Sequence, residues 1–221
     1  MTEARQDKFG NLDRLVEALS TLAAEATWPE GEHSEFLGFL ANDLVEFAAA
    51  IQSEARAERW TTALSLGRSL HERQLYLLAA AIDPGFWNAY RVRMQTRIDR
   101  DYRGSSRLLS EVARGVINRW ESQHPGGQRL LELSLRVHAT SSELLHHSIG
   151  VSWLVSQDDQ HRNLSLANVE TTVRGACAVF LLAMKITGHA DQDLYRRVWA
   201  LVDPPGEAQS PSEEPEGDES R

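Results

Sequence analysis

Leu64-Ser-Leu-Gly-Arg-Ser-Leu-His-Glu-Arg-Gln-Leu-Tyr-Leu-Leu-Ala-Ala-Ala-Ile82 is the stretch whose reading decides the fold. Wound as a helix, it places Leu66, Leu70 and Leu77 on one side and Leu64 and Leu75 on another. A helix that is apolar on several sides belongs inside a bundle, not on its surface. Arg68, His71 and Glu72 fall within about 100° of one another, on the side shared by Leu64 and Leu75. Ionised groups in such a place must be paired and hydrogen-bonded to offset their desolvation. The segment therefore predicts a buried polar cluster, which is either a structural ion-pair core or the wall of a binding site.

On both sides of this segment the helical pattern continues. Leu12, Leu15, Val16, Leu19, Leu22, Ala23 and Ala26 form one apolar stripe that stops before Trp28-Pro29-Glu30-Gly31. Phe36, Leu37, Leu40, Leu44, Val45, Phe47, Ala48 and Ile51 form a second, with Ser34 as its expected N-cap. Asp83-Pro84-Gly85 ends the central helix, because proline cannot continue the hydrogen-bond ladder. Leu108, Leu109, Val112, Val116 and Ile117 resume a helical stripe that runs to the break His124-Pro-Gly-Gly127. A long helix is expected from Gln128 toward Val155, then a polar connection over residues 157–163. Another helix is expected with Ser165 as its cap and an apolar middle from Ala176 to Leu182. A short last helix runs from Asp191 to Val202. No stretch shows the alternation of a strand, so the expectation is an all-α bundle of about seven or eight helices. It fills residues 1–203 as one domain, followed by a disordered acidic tail over 204–221.

The 221 residues carry a net charge of −9, unevenly spread. Residues 1–60 hold twelve acids against five bases, residues 88–136 ten arginines against five acids, and residues 204–221 six acids against one arginine. The basic middle suits an anionic partner or an acidic neighbour in the same chain. Its densest part, Arg91, Arg93, Arg97, Arg100, Arg103 and Arg107 with Tyr90 and Tyr102 among them, is a nucleic-acid candidate through phosphate contact and base stacking. A solvated helix face explains the same residues. The lone Cys177 lies in an apolar run and cannot form an internal disulfide, which points to a reducing compartment. The polar opening residues do not read as a secretory signal. The longest apolar run, Gly175 to Met184, is about half of the roughly 20 residues a membrane span needs. A cytoplasmic location and no membrane contact are the expectation.

Among catalytic patterns, Ser134 and His138 stand one helical turn apart, but no glycine-rich elbow or orienting third group accompanies them. Adjacent His146 and His147 project about 100° apart on a helix and cannot close on one ion, and His161 stands alone, so no metal and no cofactor is expected. Arg119-Trp-Glu-Ser-Gln-His124 has the arginine, four-residue gap and histidine of the HEPN ribonuclease motif. In that chemistry imidazole handles a proton and guanidinium stabilises phosphate charge, without a metal.

The Arg-Ser-Leu-His-Glu of residues 68–72 and the Leu-Ser-Leu-Arg-Val-His-Ala-Thr-Ser of residues 133–141 together resemble an uncharacterised bacterial all-helical family with an Arg-x-x-x-Glu helix and a later Ser-x-x-x-His helix. The resemblance spans roughly residues 60–185 and matches Arg68, Glu72, Ser134 and His138. It implies a helical, distantly HEPN-like domain of the kind found in defence or abortive-infection settings. The expectation is a binding or regulatory module built round Arg68, His71, Glu72, Ser134 and His138. The alternatives are a HEPN-like endoribonuclease using Arg119 and His124, and a nucleic-acid-binding module. A protein, a second copy of this chain, or RNA are the candidate partners.

Overall fold

The computed structural model describes residues 8–28, 30–99, 105–124, 159–189 and 191–202. Among these it contains seven helices and no strand: α1 (Gly10–Glu25), α2 (Glu32–Arg56), α3 (Trp60–Ile82), α4 (Phe86–Asp99), α5 (Ser105–Gln123), α6 (Asp159–Ile186) and α7 (Gln192–Val202). The protein is all-α. The expected helix over 128–155 and the acidic tail lie outside the described residues.

Neighbouring helices α1, α2, α3 and α6 pack in a closed ring, α1 on α2, α2 on α3, α3 on α6 and α6 on α1. Helices α4 and α5 attach to α3, and α7 attaches to α1. Helix α3 is thus covered from four directions, and Leu64, Leu70, Leu75, Leu77 and the run Ala79-Ala80-Ala81 are all buried. The multi-sided apolar pattern has this physical cause: neighbours cover most of α3, and a narrow strip through Thr62, Ser65, Ser69 and Glu72 keeps access to water.

Two glycines lie on the seam between α3 and α6. A Cβ placed on Gly67 would stand 3.8 Å from Thr172 Cγ2, and one on Gly175 would stand 3.5 Å from Gln74 Oε1. Between them the buried Gln74 donates from Nε2 to Thr172 O at 2.9 Å, and Thr172 Oγ1 donates to Asn168 O at 2.9 Å. A buried amide and hydroxyl are tolerated because each finds a partner. Toward α2, Arg73 forms an ion pair with Asp43 at 2.5 Å and lays its guanidinium 3.8 Å from the centre of the Phe47 ring. At the far side, Arg197 of α7 grips both carboxylate oxygens of Glu25 of α1 at 2.6 and 3.1 Å. That hydrogen bond holds the Glu25 carboxyl below its ordinary pKa.

Two expected helix starts move. Helix α2 begins at Glu32 with Gly31 as its N-cap, at φ +124, and Ser34 lies inside the first turn with its N–H bonded to Gly31 O at 2.9 Å. A positive φ is open to glycine at no steric cost, so the chain turns there and serine is not needed as a cap. Helix α6 begins at Asp159, not at Ser165, which is buried inside it. Asp159, Gln160 and Asn163 are exposed and His161 and Arg162 half-buried in its leading turns, with Asp159 favourably placed at the positive end of the helix dipole. The other end closes through Gly188, at φ +78. Its N–H bonds Lys185 O at 3.2 Å and the His189 N–H bonds Met184 O at 2.9 Å, the paired bonds of a Schellman turn.

Both contacts of a Cβ at Gly67 are at ordinary van der Waals range. Gly67→Ala is therefore expected to be neutral or stabilising by up to about 1 kcal/mol through helix propensity. Gly67→Leu drives a larger side chain into α6 and is expected to cost about 1–3 kcal/mol. Urea unfolding midpoints of the two variants check this pair of outcomes.

An aromatic groove as candidate functional site

The central helix stops at Asp83-Pro84-Gly85, and that stop shapes a groove. Asp83 N–H closes the ladder on Ala79 O at 2.9 Å. The next carbonyl, Ala80 O, would take the amide of residue 84, which is proline and has none. His33 of α2 supplies the missing donor, with Nε2 2.8 Å from Ala80 O, so Nε2 carries the hydrogen. Asp83 Oδ1 then accepts the Gly85 N–H at 2.8 Å and Asp83 O accepts the Phe86 N–H at 2.9 Å, which turns the chain directly into α4. The first turns of α2 and α4 are set side by side by these bonds.

Between them lies a groove of about 530 Å³ lined by Glu32, Glu35, Phe36, Phe39, Trp87, Tyr90 and Arg91. Helical spacing accounts for the lining. Residues 32, 35, 36 and 39 share one face of α2, and residues 87, 90 and 91 share one face of α4. The Phe36 ring centre is 4.6 Å from Trp87 and 4.8 Å from Tyr90, and Trp87 and Tyr90 stack 6.4 Å apart at 21°. Tyr76 of α3 backs this wall, 6.2 Å from Tyr90 and 6.1 Å from Phe86. Phe39 forms the outer lip and is 55% exposed. Glu32, Glu35 and Arg91 are exposed round the mouth, and none of the three has an ion pair among the described residues.

The residues singled out in the sequence fall elsewhere. His71 is buried on α3, whereas Arg68 and Glu72 are half-buried and form no ion pair with each other. The expected burial of both charges is corrected here. Each keeps access to water, and an arginine four residues before a glutamate is the less favourable order against the helix dipole. The arginine of this helix that does pair is Arg73. Ser134 and His138 lie outside the described residues, as do Arg100 and Arg103. Arg91 is exposed at the groove and Arg93 is half-buried, while Arg97 falls on α4 and Arg107 on α5.

Arg119 and His124 are both exposed near the end of α5. The Arg119 guanidinium reaches back beside Gly115, where Nη1 would lie 3.8 Å from an added Cβ. The His124 ring stacks on Trp120 at 4.7 Å and bonds Trp120 O through Nδ1 at 2.9 Å. Each side chain therefore folds back over the turn that precedes it, Arg119 toward Gly115 and His124 onto Trp120. Cys177 is fully buried, and burial pushes its thiol up to about 12, so it stays un-ionised and is a core residue, not a nucleophile. Among the described residues no three His, Cys, Asp or Glu side chains converge as a metal-ligand set, and no helix is long and apolar enough to cross a membrane.

Sequence reasoning missed the groove, although two signals were there. Phe39 stands off the buried stripe of Phe36, Leu37, Leu40 and Leu44. Trp87 and Tyr90 follow a proline-glycine break in a helix with no continuous apolar stripe of its own. Comparison with family models, with curated proteins and with solved structures finds no match to this chain.

His33→Ala removes the side-chain donor to Ala80 O. The expected cost is about 1–2 kcal/mol, as for leaving a partly buried carbonyl unpaired. A lowered urea midpoint with unchanged slope is the outcome that checks it.

Proposed function

We propose that this protein is a binding or regulatory module, not an enzyme, and that it recognises its partner through the aromatic groove between α2 and α4. One observation carries the reading: Phe39, Trp87 and Tyr90 are held at a concave surface where a monomer gains nothing from exposing them. Exposed apolar area forgoes roughly 25 cal/mol for each Å² that burial would contribute, and an occupant recovers it. The groove volume also falls within the roughly 300–1,000 Å³ of small-molecule sites. The polar groups of α3 fit a supporting role, since the Gln74 amide is bonded to the Thr172 backbone carbonyl inside the bundle. In this reading Arg68, His71 and Glu72 support the central helix and do not contact the ligand.

A neutral solvatochromic dye such as Nile red tests the groove. The native chain is expected to enhance its emission, and Phe39→Ser is expected to cut the enhancement severalfold with an unchanged unfolding midpoint. No enhancement by the native chain, or none lost in the variant, rejects the groove as the recognition surface.

Arg119 and His124 each lie against their own preceding turn, and the His124 Nδ1 is taken up by Trp120 O, which favours the binding reading over RNA cleavage within one chain. RNA incubated with the purified protein in EDTA is expected to stay intact over hours. Cleavage that disappears in His124→Ala would replace the present reading with a metal-independent nuclease.

A further inference from the structure

The charges at the groove mouth narrow the ligand class. Glu32 and Glu35 stand on the same face of α2 as Phe36 and Phe39, and Arg91 stands across from them on α4. All three are exposed and unpaired with one another, so two negative charges face one positive charge over an aromatic floor. The floor adds to that sign. Ring faces carry negative quadrupole density, and Trp87 and Tyr90, near-parallel at 21°, both line the groove. Trp87 Nε1 is turned inward and has no hydrogen-bond partner, so this indole offers the groove its ring and not its N–H. A lining of aromatic rings with two carboxylates against one guanidinium disfavours anions and gives a neutral apolar ligand no electrostatic advantage. It suits a cation too weakly hydrated to hold its water against aromatic contact.

We infer that the groove takes an organic ammonium group, a quaternary or alkylated amine, lying over Trp87 and Tyr90 with Glu32 and Glu35 at its rim. The inference rests on the groove being the recognition surface and adds the chemistry of what enters it. A compact sodium ion is disfavoured by the same physics, because it holds its water tightly and, among the described residues, no three His, Cys, Asp or Glu side chains converge to replace it. A bulky methylated ammonium keeps its charge, sheds water easily and fills an apolar hollow. Arg91 opposes the cation, and its place at the edge of the mouth suits a ligand that carries a separate anionic group. The placing of Glu32 and Glu35 at the start of α2 also complements the helix dipole. A loss of stability on neutralising them would accompany either role, so the test reads selectivity for charge.

The probes are choline and 3,3-dimethylbutan-1-ol, which share a shape and differ by the replacement of the quaternary nitrogen with carbon. They are titrated against the full chain, with line broadening of the ligand methyl signals as the readout. Choline is expected to bind about tenfold more tightly than its neutral twin, the scale of a partly desolvated cation–π contact. In Glu32→Gln/Glu35→Gln that preference is expected to fall to about threefold or less, and added salt is expected to weaken choline selectively. Phe39→Ser is expected to weaken both probes. Equal affinity for the two probes overturns the ammonium inference. So does choline binding that neither the Phe39 nor the glutamate variant alters, since the cation then sits elsewhere. Absence of choline binding while Nile red still responds overturns this inference alone, whereas failure of the dye as well removes the groove reading on which it stands.

Discussion

The close crossing of α3 over α6 is the constraint on which the rest of the structure depends. Gly67 lies beside Thr172 and Gly175 beside Gln74 on this seam, and the buried Gln74 amide donates across it to the Thr172 backbone carbonyl. A buried amide is costly without a partner and harmless with one, so the seam also fixes the register of the two helices. Once α3 is held in that position, α2 closes on its other side through Asp43, Arg73 and Phe47, and α1 completes the ring.

From the same helix follows the groove. Proline at 84 ends α3 and leaves the carbonyl of Ala80 without its helical donor; His33 fills the vacancy and brings the start of α2 against the end of α3. Asp83 and Gly85 turn the chain at once into α4, so that the aromatic faces of α2 and α4 meet within one turn of the break. Burial of Phe36 and half-burial of Trp87 and Tyr90 anchor the floor, and the lip at Phe39 stays in water. A single helix stop thus determines both a structural bond and the surface proposed for recognition.

Charge placement in the bundle follows dielectric and geometry more than composition. Arg73 reaches an acid on a different helix and an aromatic face, and is held on both counts. Arg68 and Glu72 share one helix in the unfavourable order and stay half-exposed, where an ion pair contributes little in any case. The basic run from Arg91 onward begins beside two carboxylates, which sets a local sign opposite to that expected of a phosphate-binding edge.

From the amino-acid order alone, helix content, the central position of Leu64–Ile82, the stop at Pro84, the short last helix and the core nature of Cys177 were legible. Each of these is a local matter: periodicity of apolar residues, the missing amide of proline, an apolar neighbourhood. The starts of α2 and α6 were misplaced because serine can sit inside a helix as well as cap one, and only backbone dihedrals distinguish the two. The partner of Arg73 and the bond from His33 to Ala80 were beyond reach, since each joins residues about thirty to fifty positions apart. The groove was beyond reach for the same reason. Phe39 and Trp87 are separated along the chain by a whole helix pair, and only the way α2 and α4 diverge from the end of α3 makes their rings into one surface.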